Sequence, residues 1–553
     1  MGHVMTGAEI VIEELVRHRV DVVFGYPGGY VLSIYDELYN NSHRITHILT
    51  AHEQGAAHAA DAYARVSGKP SAVIATSGPG ATNLVTGIAN AYLDSVPVIF
   101  ITGNVPLPML GQDSFQEIDI LGVTMPIVKH SYAVRDIKNL QHILREAFQI
   151  AGTGRKGPVL IDIPSNIQTD TCDYDYNMLL PPPETVAKTA DLSNIDKALE
   201  AIEKSKRPYI YCGGGVTAAN AGQGVVELSK KLGAPVGLSM MGIGSVPYSY
   251  ELNLGLCGIH GRYASTVAET EADLIIALGT RFSDRATGFS RDYAKGTTVI
   301  HIDIDAAEID KNIKSDISIC GDINDVLPIL INQSRAQPND EWLAQVNELK
   351  AEGSIPPGEE FRPRNIIENI CKYNHSDTIV TTDVGQHQMW VAQFYKFEKP
   401  RKLITSGGLG AMGFGFGAAI GACLANGKQR TILFTSDGSF GMNLIELATA
   451  VTYKLPITIV LLNNGALGLV RQMQSLFFDE RYSQTTLDRK TDFSALSKAF
   501  GASGYTAMSL YELEYIMKKI PETGPFVIDC KIDKDEKVYP MIPADGATHD
   551  ILY

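Results

Sequence analysis

The sequence predicts an α/β protein made of three doubly wound parallel-sheet domains, and three observations lead to that expectation. Short β-branched runs alternate with amphipathic or small-residue helical stretches along nearly all of the 553 residues, the pattern of strand–helix–strand units on a parallel sheet. The length exceeds what one core organises; at roughly 150 residues per domain it suggests three or four. Two polar, proline-bearing stretches without a hydrophobic period divide the chain. The expected layout is a first domain at 1–168, a linker at 169–191, a central domain at 192–333, a second linker at 334–364 and a third domain at 365–553.

In the first domain Val22–Phe24, Ala72–Ala75, Val98–Thr102 and Val159–Ile163 read as buried strands. The segment Ile48-Leu49-Thr50-Ala51-His52-Glu53-Gln54-Gly55 sets a lone glutamate at a strand-to-helix junction, ahead of the small-residue helix Ala56–Ala64. The helix dipole stabilises a carboxylate there whatever its role. His52-Glu53 does not open an H-E-x-x-H zinc motif, because the next histidine is His58. The first linker carries Pro181-Pro182-Pro183. Tyr209–Cys212, Leu274–Leu278 and Val299–Ile304 read as the central strands. The second linker holds Pro356-Pro357-Gly358 and the amphipathic helix Glu341–Lys350. In the third domain the strands are expected at Thr378–Thr381, Thr431–Phe434, Ile457–Leu462 and Phe526–Cys530, a pattern like that of the first.

Composition narrows the function classes. A hydrophobic content of 45%, a charged content of 20% and 51 glycines fit an α/β protein rich in tight strand–helix turns. A net charge of −15 argues against nucleic acid or an anionic membrane as a partner. The seven cysteines are scattered without a C-x-x-C pair, which favours reduced, mostly buried thiols. With Glu9, Glu13 and Glu14 arguing against a transit peptide, the expected location is cytoplasmic. Ser406–Asn426 is uncharged and long enough for a membrane span, but its seven glycines point to a loop entering a buried helix.

The chemistry concentrates in Asp437-Gly438-Ser439 and, 23 residues on, Asn463-Asn464. Each group ends a strand-like run, so adjacent strand ends would present a carboxylate and an amide oxygen to one Mg²⁺, a hard ion that prefers oxygen. Asn443–Tyr453 between them reads as a helix, apolar at Leu444, Leu447, Ala448 and Val451. A common turn and a common strand exit would look the same locally.

Together with Glu53, this clamp resembles the thiamine diphosphate (ThDP) enzyme superfamily, in which a glutamate contacts the aminopyrimidine and an Asp…Asn clamp holds the diphosphate through Mg²⁺. Further segments narrow the resemblance to the acetohydroxyacid (acetolactate) synthase catalytic subunit. They are Pro27-Gly28-Gly29, Phe115-Gln116-Glu117, Lys129-His130, Arg281-Phe282-Ser283-Asp284-Arg285, His301–Asp305, Val384–Trp390, Gly407–Gly413 and Gln474–Phe477, in family order over nearly the whole chain.

The resemblance implies pyrimidine-binding, FAD-binding and diphosphate-binding domains. Its catalytic set maps to Glu53, Gly29, Phe115, Gln116, Lys129 and Arg285. Arg285 would pair with a 2-ketoacid carboxylate, while Phe115, Gln116 and Lys129 would line the site mouth from the partner subunit. ThDP would be held by Val384, Gly385, Gln386, His387, Gly438, Ser439, Gly468 and Leu469. Gly410 would receive the amino group, with Met412 beneath the bent cofactor. Mg²⁺ would take Asp437, Asn464 and the Ala466 carbonyl. FAD, without a redox role, would contact Gly213, Gly214, Gly215, Met240, His260, Gly279, Arg281, Asp303 and Asp322. Gly408–Gly413 also spells G-x-G-x-x-G, but Asp437 lies late for a ribose-binding acid and suits the clamp better.

The implied reaction joins pyruvate, after decarboxylation, to a second 2-ketoacid. It implies a homodimer at least, with a tetramer and a small regulatory subunit left open. Three departures from the family stand out. Ser436 replaces a glycine, with little effect expected; Tyr30 replaces a small residue; Met473 replaces a tryptophan. The last two leave a related ThDP/FAD carboligase or lyase, acting on a keto-sugar or diketone, as the alternative.

Overall fold

The computed structural model describes residues 3–181, 190–288, 293–336, 338–354, 358–543 and 551–552. These residues form three six-stranded parallel sheets and one antiparallel pair, His3–Thr6 with Thr171–Tyr174. The first sheet runs Thr46–Leu49, Val22–Tyr26, Ser71–Ala75, Val98–Asn104, Val159–Pro164, His130–Ala133. The third runs Leu403–Ile404, Ile379–Thr382, Thr431–Thr435, Ile457–Asn463, Phe526–Lys531, Ser503–Ala507. With the six strands of each numbered in chain order, both read 2-1-3-4-6-5. The central sheet runs Asn253–Leu256, Val236–Leu238, Pro208–Cys212, Leu274–Leu278, Thr298–Asp303, Ile317–Cys320. That order, 3-2-1-4-5-6, is the dinucleotide-binding arrangement.

The strands read from sequence all appear: eight are longer by a residue or two, Leu274–Leu278 is unchanged, and two are shifted by one residue, to Thr298–Asp303 and Ile379–Thr382. The nine missed among the described residues, seven in the parallel sheets and the two of the antiparallel pair, are short or half-exposed. Buried parallel strands read as apolar runs, whereas His130–Ala133 is polar and half-exposed, and Leu403–Ile404 is two residues long. The expected helix Asn443–Tyr453 is corrected to two pieces, Asp437–Asn443 and Glu446–Thr452. Helix begins at Asp437 because Ser436 caps it, its Oγ accepting from Ser439 N at 3.3 Å. Helix Glu341–Lys350 appears as Asp340–Glu352. Pro182, Pro183, Pro356 and Pro357 lie outside the described residues.

The uncharged run 406–426 resolves into a loop and the buried helix Phe414–Ala425. Among the described residues no helix is long and apolar enough to cross a membrane. Phe414–Ala425 packs against helix Glu53–Ser67, joining the first and third domains. A Cβ on Gly421 would stand 1.8 Å from the Ala59 carbonyl oxygen, so small residues set the helix separation. Arg155 ties the first domain to Asp305 and Glu308 of the central one. All seven cysteines are free, four of them buried.

Candidate active site

In each flanking sheet, strand order reverses between the first and third strands, and ligands bind such α/β sheets outside the carboxyl ends at that point. In the third domain this edge collects Asp383–His387, Ser436–Ser439 and, one strand further, Asn463-Asn464. Asp383 is fully buried and braces the edge, accepting from Gly413 N and Gly415 N at 2.8 Å and from Thr435 Oγ1 at 2.7 Å. Asp437 is 5% exposed, and its Oδ1 has no protein partner. Burial pushes its carboxyl up to about 6, with Asp529 adding to the rise.

Asn464 Oδ1 accepts from Ala466 N at 3.2 Å, and its Nδ2 donates to Gln386 Oε1 at 3.3 Å. Gln386 Nε2 donates to the Glu536 carbonyl at 2.6 Å and to Gln472 Oε1 at 3.1 Å. A Cβ on Gly468 would fall 1.9 Å from Gln386 Oε1, so Gly468, next to Leu469 at its helix start, gives the clamp its room. His387 is buried with Nε2 unpartnered; burial pulls it down to about 3, leaving a neutral ring. Gly385 precedes it as the helix cap, and the Val384 carbonyl accepts from Ser439 Oγ at 3.1 Å. Met412 reaches over Gly438, where an added Cβ would sit 3.8 Å from Met412 Cε. Gly410 turns the chain in between at φ +68°.

An orphaned buried carboxylate oxygen beside an amide and a backbone carbonyl suits Mg²⁺, which takes few protein ligands and completes its shell with phosphate and water. Among the described residues no cluster of three His, Cys, Asp or Glu side chains could hold a metal. A clamp with one carboxylate needs no such cluster.

The first-domain edge is more open. Glu53 starts helix Glu53–Ser67, half-buried, and its Oε2 accepts from Asn83 Nδ2 at 2.9 Å. Gly29 is exposed, with open space where a side chain would be. Tyr30 does not enter the core: its hydroxyl donates to the Phe115 carbonyl at 3.2 Å and its N–H to Thr76 Oγ1 at 3.3 Å. It thereby props the loop that carries Phe115, 79% exposed, and Gln116, held at φ +61°. Glu117 gathers the same loop by accepting from Gly111 N and from Ser114 N.

Lys129 is held within its own domain. Its Nζ donates to the Ile150 and Thr153 carbonyls at 2.5 and 2.6 Å, and burial pulls it down to about 8. Arg285 is exposed beside Asp284 at 3.7 Å. Met473 sits half-buried on helix Gly468–Phe477.

In the central sheet the reversal lies between Pro208–Cys212 and Leu274–Leu278. Gly213–Gly215 follow the first of these strands and Gly279 the second. Gly213 N donates to the Leu278 carbonyl at 2.9 Å and Gly215 N to the Gly279 carbonyl at 3.0 Å. Gly279 has φ +55°, and a Cβ on it would stand 2.6 Å from Gly215 Cα, so no other residue fits. Asp303 ends the next strand, 7% exposed, and burial pushes it up to about 6. Asp322 caps helix Ile323–Gln333 through Asn324 N at 2.8 Å. Met240 opens a short turn beside Gly214, where Met241 Cβ lies 3.0 Å from an added Cβ. His260 is buried with Nδ1 unpartnered. Arg281 reaches across to the Leu93 carbonyl at 2.6 Å. The glycine cradle, the buried strand-end carboxylate and the orphaned imidazole nitrogen suit a dinucleotide such as FAD.

Sequence reading missed Asn83, Gln472 and Asp529. Asp529 Oδ1 accepts from Asn463 Nδ2 at 2.8 Å and so holds the Asn pair. Asn83, at the end of the short helix Pro79–Thr82, carried a weak signal; Gln472 lay inside a helix and carried none.

Two like sheets with cofactor-shaped edges around a dinucleotide-type sheet define the architecture of a three-domain ThDP-dependent enzyme. The N-terminal, central and C-terminal domain models of the thiamine pyrophosphate enzymes match residues 5–123, 195–330 and 383–530. The chain is 43% identical to the acetolactate synthase large subunit of Lactococcus lactis over 546 residues, 98% of this chain and 94% of that protein. It is 42% identical to the isozyme 1 large subunit of Escherichia coli over 551 residues, 99% and 97% of the two. It is 43% identical to a probable acetolactate synthase large subunit of Methanocaldococcus jannaschii over 569 residues, 99% and 95%. The chain belongs to the acetolactate synthase large-subunit family of thiamine pyrophosphate enzymes.

Proposed function

We propose that this chain decarboxylates pyruvate and transfers the hydroxyethyl unit to a second 2-ketoacid, giving 2-acetolactate or 2-aceto-2-hydroxybutyrate for branched-chain amino acid biosynthesis. The observation that carries the reading is the buried, unpartnered Asp437 Oδ1 beside Asn464 on a thiamine pyrophosphate-type domain. Bound ThDP supplies a carbon nucleophile and an electron sink for decarboxylation. Asp437, Asn464 and the Ala466 carbonyl hold Mg²⁺, while Gln386, His387 and the Gly438 and Ser439 amides hold the diphosphate. Glu53, oriented by Asn83, keeps a carboxylate on the pyrimidine ring and so governs where its proton resides. Met412, which reaches over Gly438, would support the bound cofactor from beneath. Arg285, exposed in one chain, binds the ketoacid carboxylate, and Phe115 and Gln116 close the mouth. The central domain, 192–333, binds FAD as a structural element.

The first domain, which carries Glu53, exposes the apolar side chains Leu32, Leu49, Phe115 and Met125, and the third, which carries the clamp, exposes Met442, Ile445 and Val470. Covering both faces with a second copy gives a homodimer in which each cofactor takes Glu53 from one chain and Asp437 from the other. The relatives are named large subunits, and we extend to this chain a smaller regulatory companion and a cytoplasmic location.

Tyr30 and Met473 favour one second reading, a ThDP/FAD carboligase with another acceptor. Purified protein given ThDP, Mg²⁺ and pyruvate alone should show a flavin spectrum and release acetolactate. Pyruvate consumption without acetolactate would move the assignment to the second reading.

A further inference from the structure

We infer that Glu446 is a positioning residue for Glu53, gripping the Glu53 junction of the first domain from the third. The inference gains its catalytic meaning from the function proposed above, in which Glu53 activates the cofactor. Glu446 opens helix Glu446–Thr452 and is fully buried. Its Oε2 accepts from Ala51 N at 3.2 Å and from Thr449 Oγ1 at 2.7 Å, and its Oε1 accepts from His52 N at 3.1 Å. Tyr453 of the same segment accepts from Leu49 N at 2.8 Å. Three backbone N–H groups in the four residues before Glu53 therefore end on third-domain side chains.

The first turn of the Glu53 helix is shaped around this carboxylate. A Cβ on Gly55 would lie 2.0 Å from Glu446 Oε1 and 2.5 Å from Cδ. In a helix interior alanine ordinarily surpasses glycine; here glycine makes room for a side chain from another domain. A buried carboxylate that meets two backbone donors and a hydroxyl has both of its oxygens hydrogen-bonded. Glutamine would point an NH₂ group at one of those donors. The segment with this grip begins nine residues after Asp437, so the clamp and the grip on Glu53 share one stretch of chain.

The test uses the full-length protein and two variants, Glu446→Gln and Gly55→Ala; the second displaces the carboxylate without deleting a buried group. In cofactor-free protein, amide hydrogen exchange at Ala51 and His52 should rise up to about tenfold, as for a lost hydrogen bond. With ThDP–Mg²⁺ bound, exchange of the cofactor's C2 proton should slow by about 10–10²-fold, as for a reacting group misplaced by an ångström. ThDP–Mg²⁺ affinity should stay near the wild-type value. Gly55→Ala should have little further effect in a Glu446→Ala background, since the three atoms nearest an added Cβ all belong to the Glu446 side chain. Unchanged amide and C2 exchange in folded variants overturns the positioning role. A wild-type protein that neither binds ThDP nor exchanges C2 overturns the proposed function, and with it the catalytic meaning of the grip.

Discussion

The first and third domains share one strand order, 2-1-3-4-6-5, yet their functional edges are built in opposite ways. The third edge is finished within its own chain: Asp437, His387, Gln386 and Asn464 are all buried, and Asp437 Oδ1 and His387 Nε2 have no protein partner. The first edge is unfinished. Glu53 is half-buried, and Phe115, Leu49 and Leu32 of the same domain are exposed. A duplicated scaffold has thus been divided into a side that binds by charge and preformed polar groups and a side that acts by one carboxylate and needs covering. The difference lies in burial and in the loops, not in topology.

That contrast can be broken at each edge. Asp437→Ala should have the largest effect. Outer-shell partners alone typically cost about 10–100-fold in metal affinity, so removing the carboxylate ligand should weaken ThDP–Mg²⁺ binding at least that much and abolish turnover at ordinary cofactor levels. Titration calorimetry decides this, and high Mg²⁺ with high ThDP should restore part of the rate. Glu53→Gln should behave oppositely, retaining ThDP while pyruvate turnover falls about 10²–10⁴-fold, the range for a positioned acid–base group. Unchanged turnover with bound ThDP would remove Glu53 from the chemistry.

Much of this contrast was legible in the sequence. Asp437, Asn464 and Glu53 stand after strand-like runs that the sequence reveals, and the four central strands of the first and third sheets are buried and largely apolar. Edge strands such as His130–Ala133 were not legible, because one exposed side removes the apolar run. Nor were Glu446 and Asn83, whose roles come from contacts across domains or turns that no local pattern encodes. Lys129 shows a different limit. Its place in the motif suggests the site mouth, but its ammonium caps the end of helix Leu140–Gly152.

The acceptor side sharpens the comparison further. Met473 is flexible and cannot stack as an indole does. An apolar pocket separates substrates differing by one methylene by only about 1–3 kcal/mol. Wild-type protein should therefore prefer 2-ketobutyrate over pyruvate only weakly and resist sulfonylurea-type inhibitors, and Met473→Trp should raise both the preference and the sensitivity. Strong wild-type preference in a competition assay would show that Tyr30, braced on the Phe115 carbonyl, has rebuilt the pocket.

The smallest effect belongs to the central domain. The Asp303 carboxyl is raised from 3.8 to about 6 by burial. The folded state therefore favours its protonated form, and its contribution to stability is present at low pH and lost as pH rises through about 6. Asp303→Asn should raise the Tm of the FAD-free protein at pH 8, by about 2–4 °C if the gain is near 1 kcal/mol. The difference should vanish at pH 4, and FAD should bind more weakly throughout.

The claim that the two unlike edges meet across chains is tested most directly by mixing. Glu53→Gln and Asp437→Ala chains, each inactive alone, are co-expressed and the whole preparation, homodimers and mixed dimers together, is assayed with pyruvate. One site in each mixed dimer then has both an intact Glu53 and an intact Asp437. Random pairing in a two-fold dimer predicts recovery of about a quarter of wild-type activity. No recovery, with both variants folded and dimeric, would contradict the account.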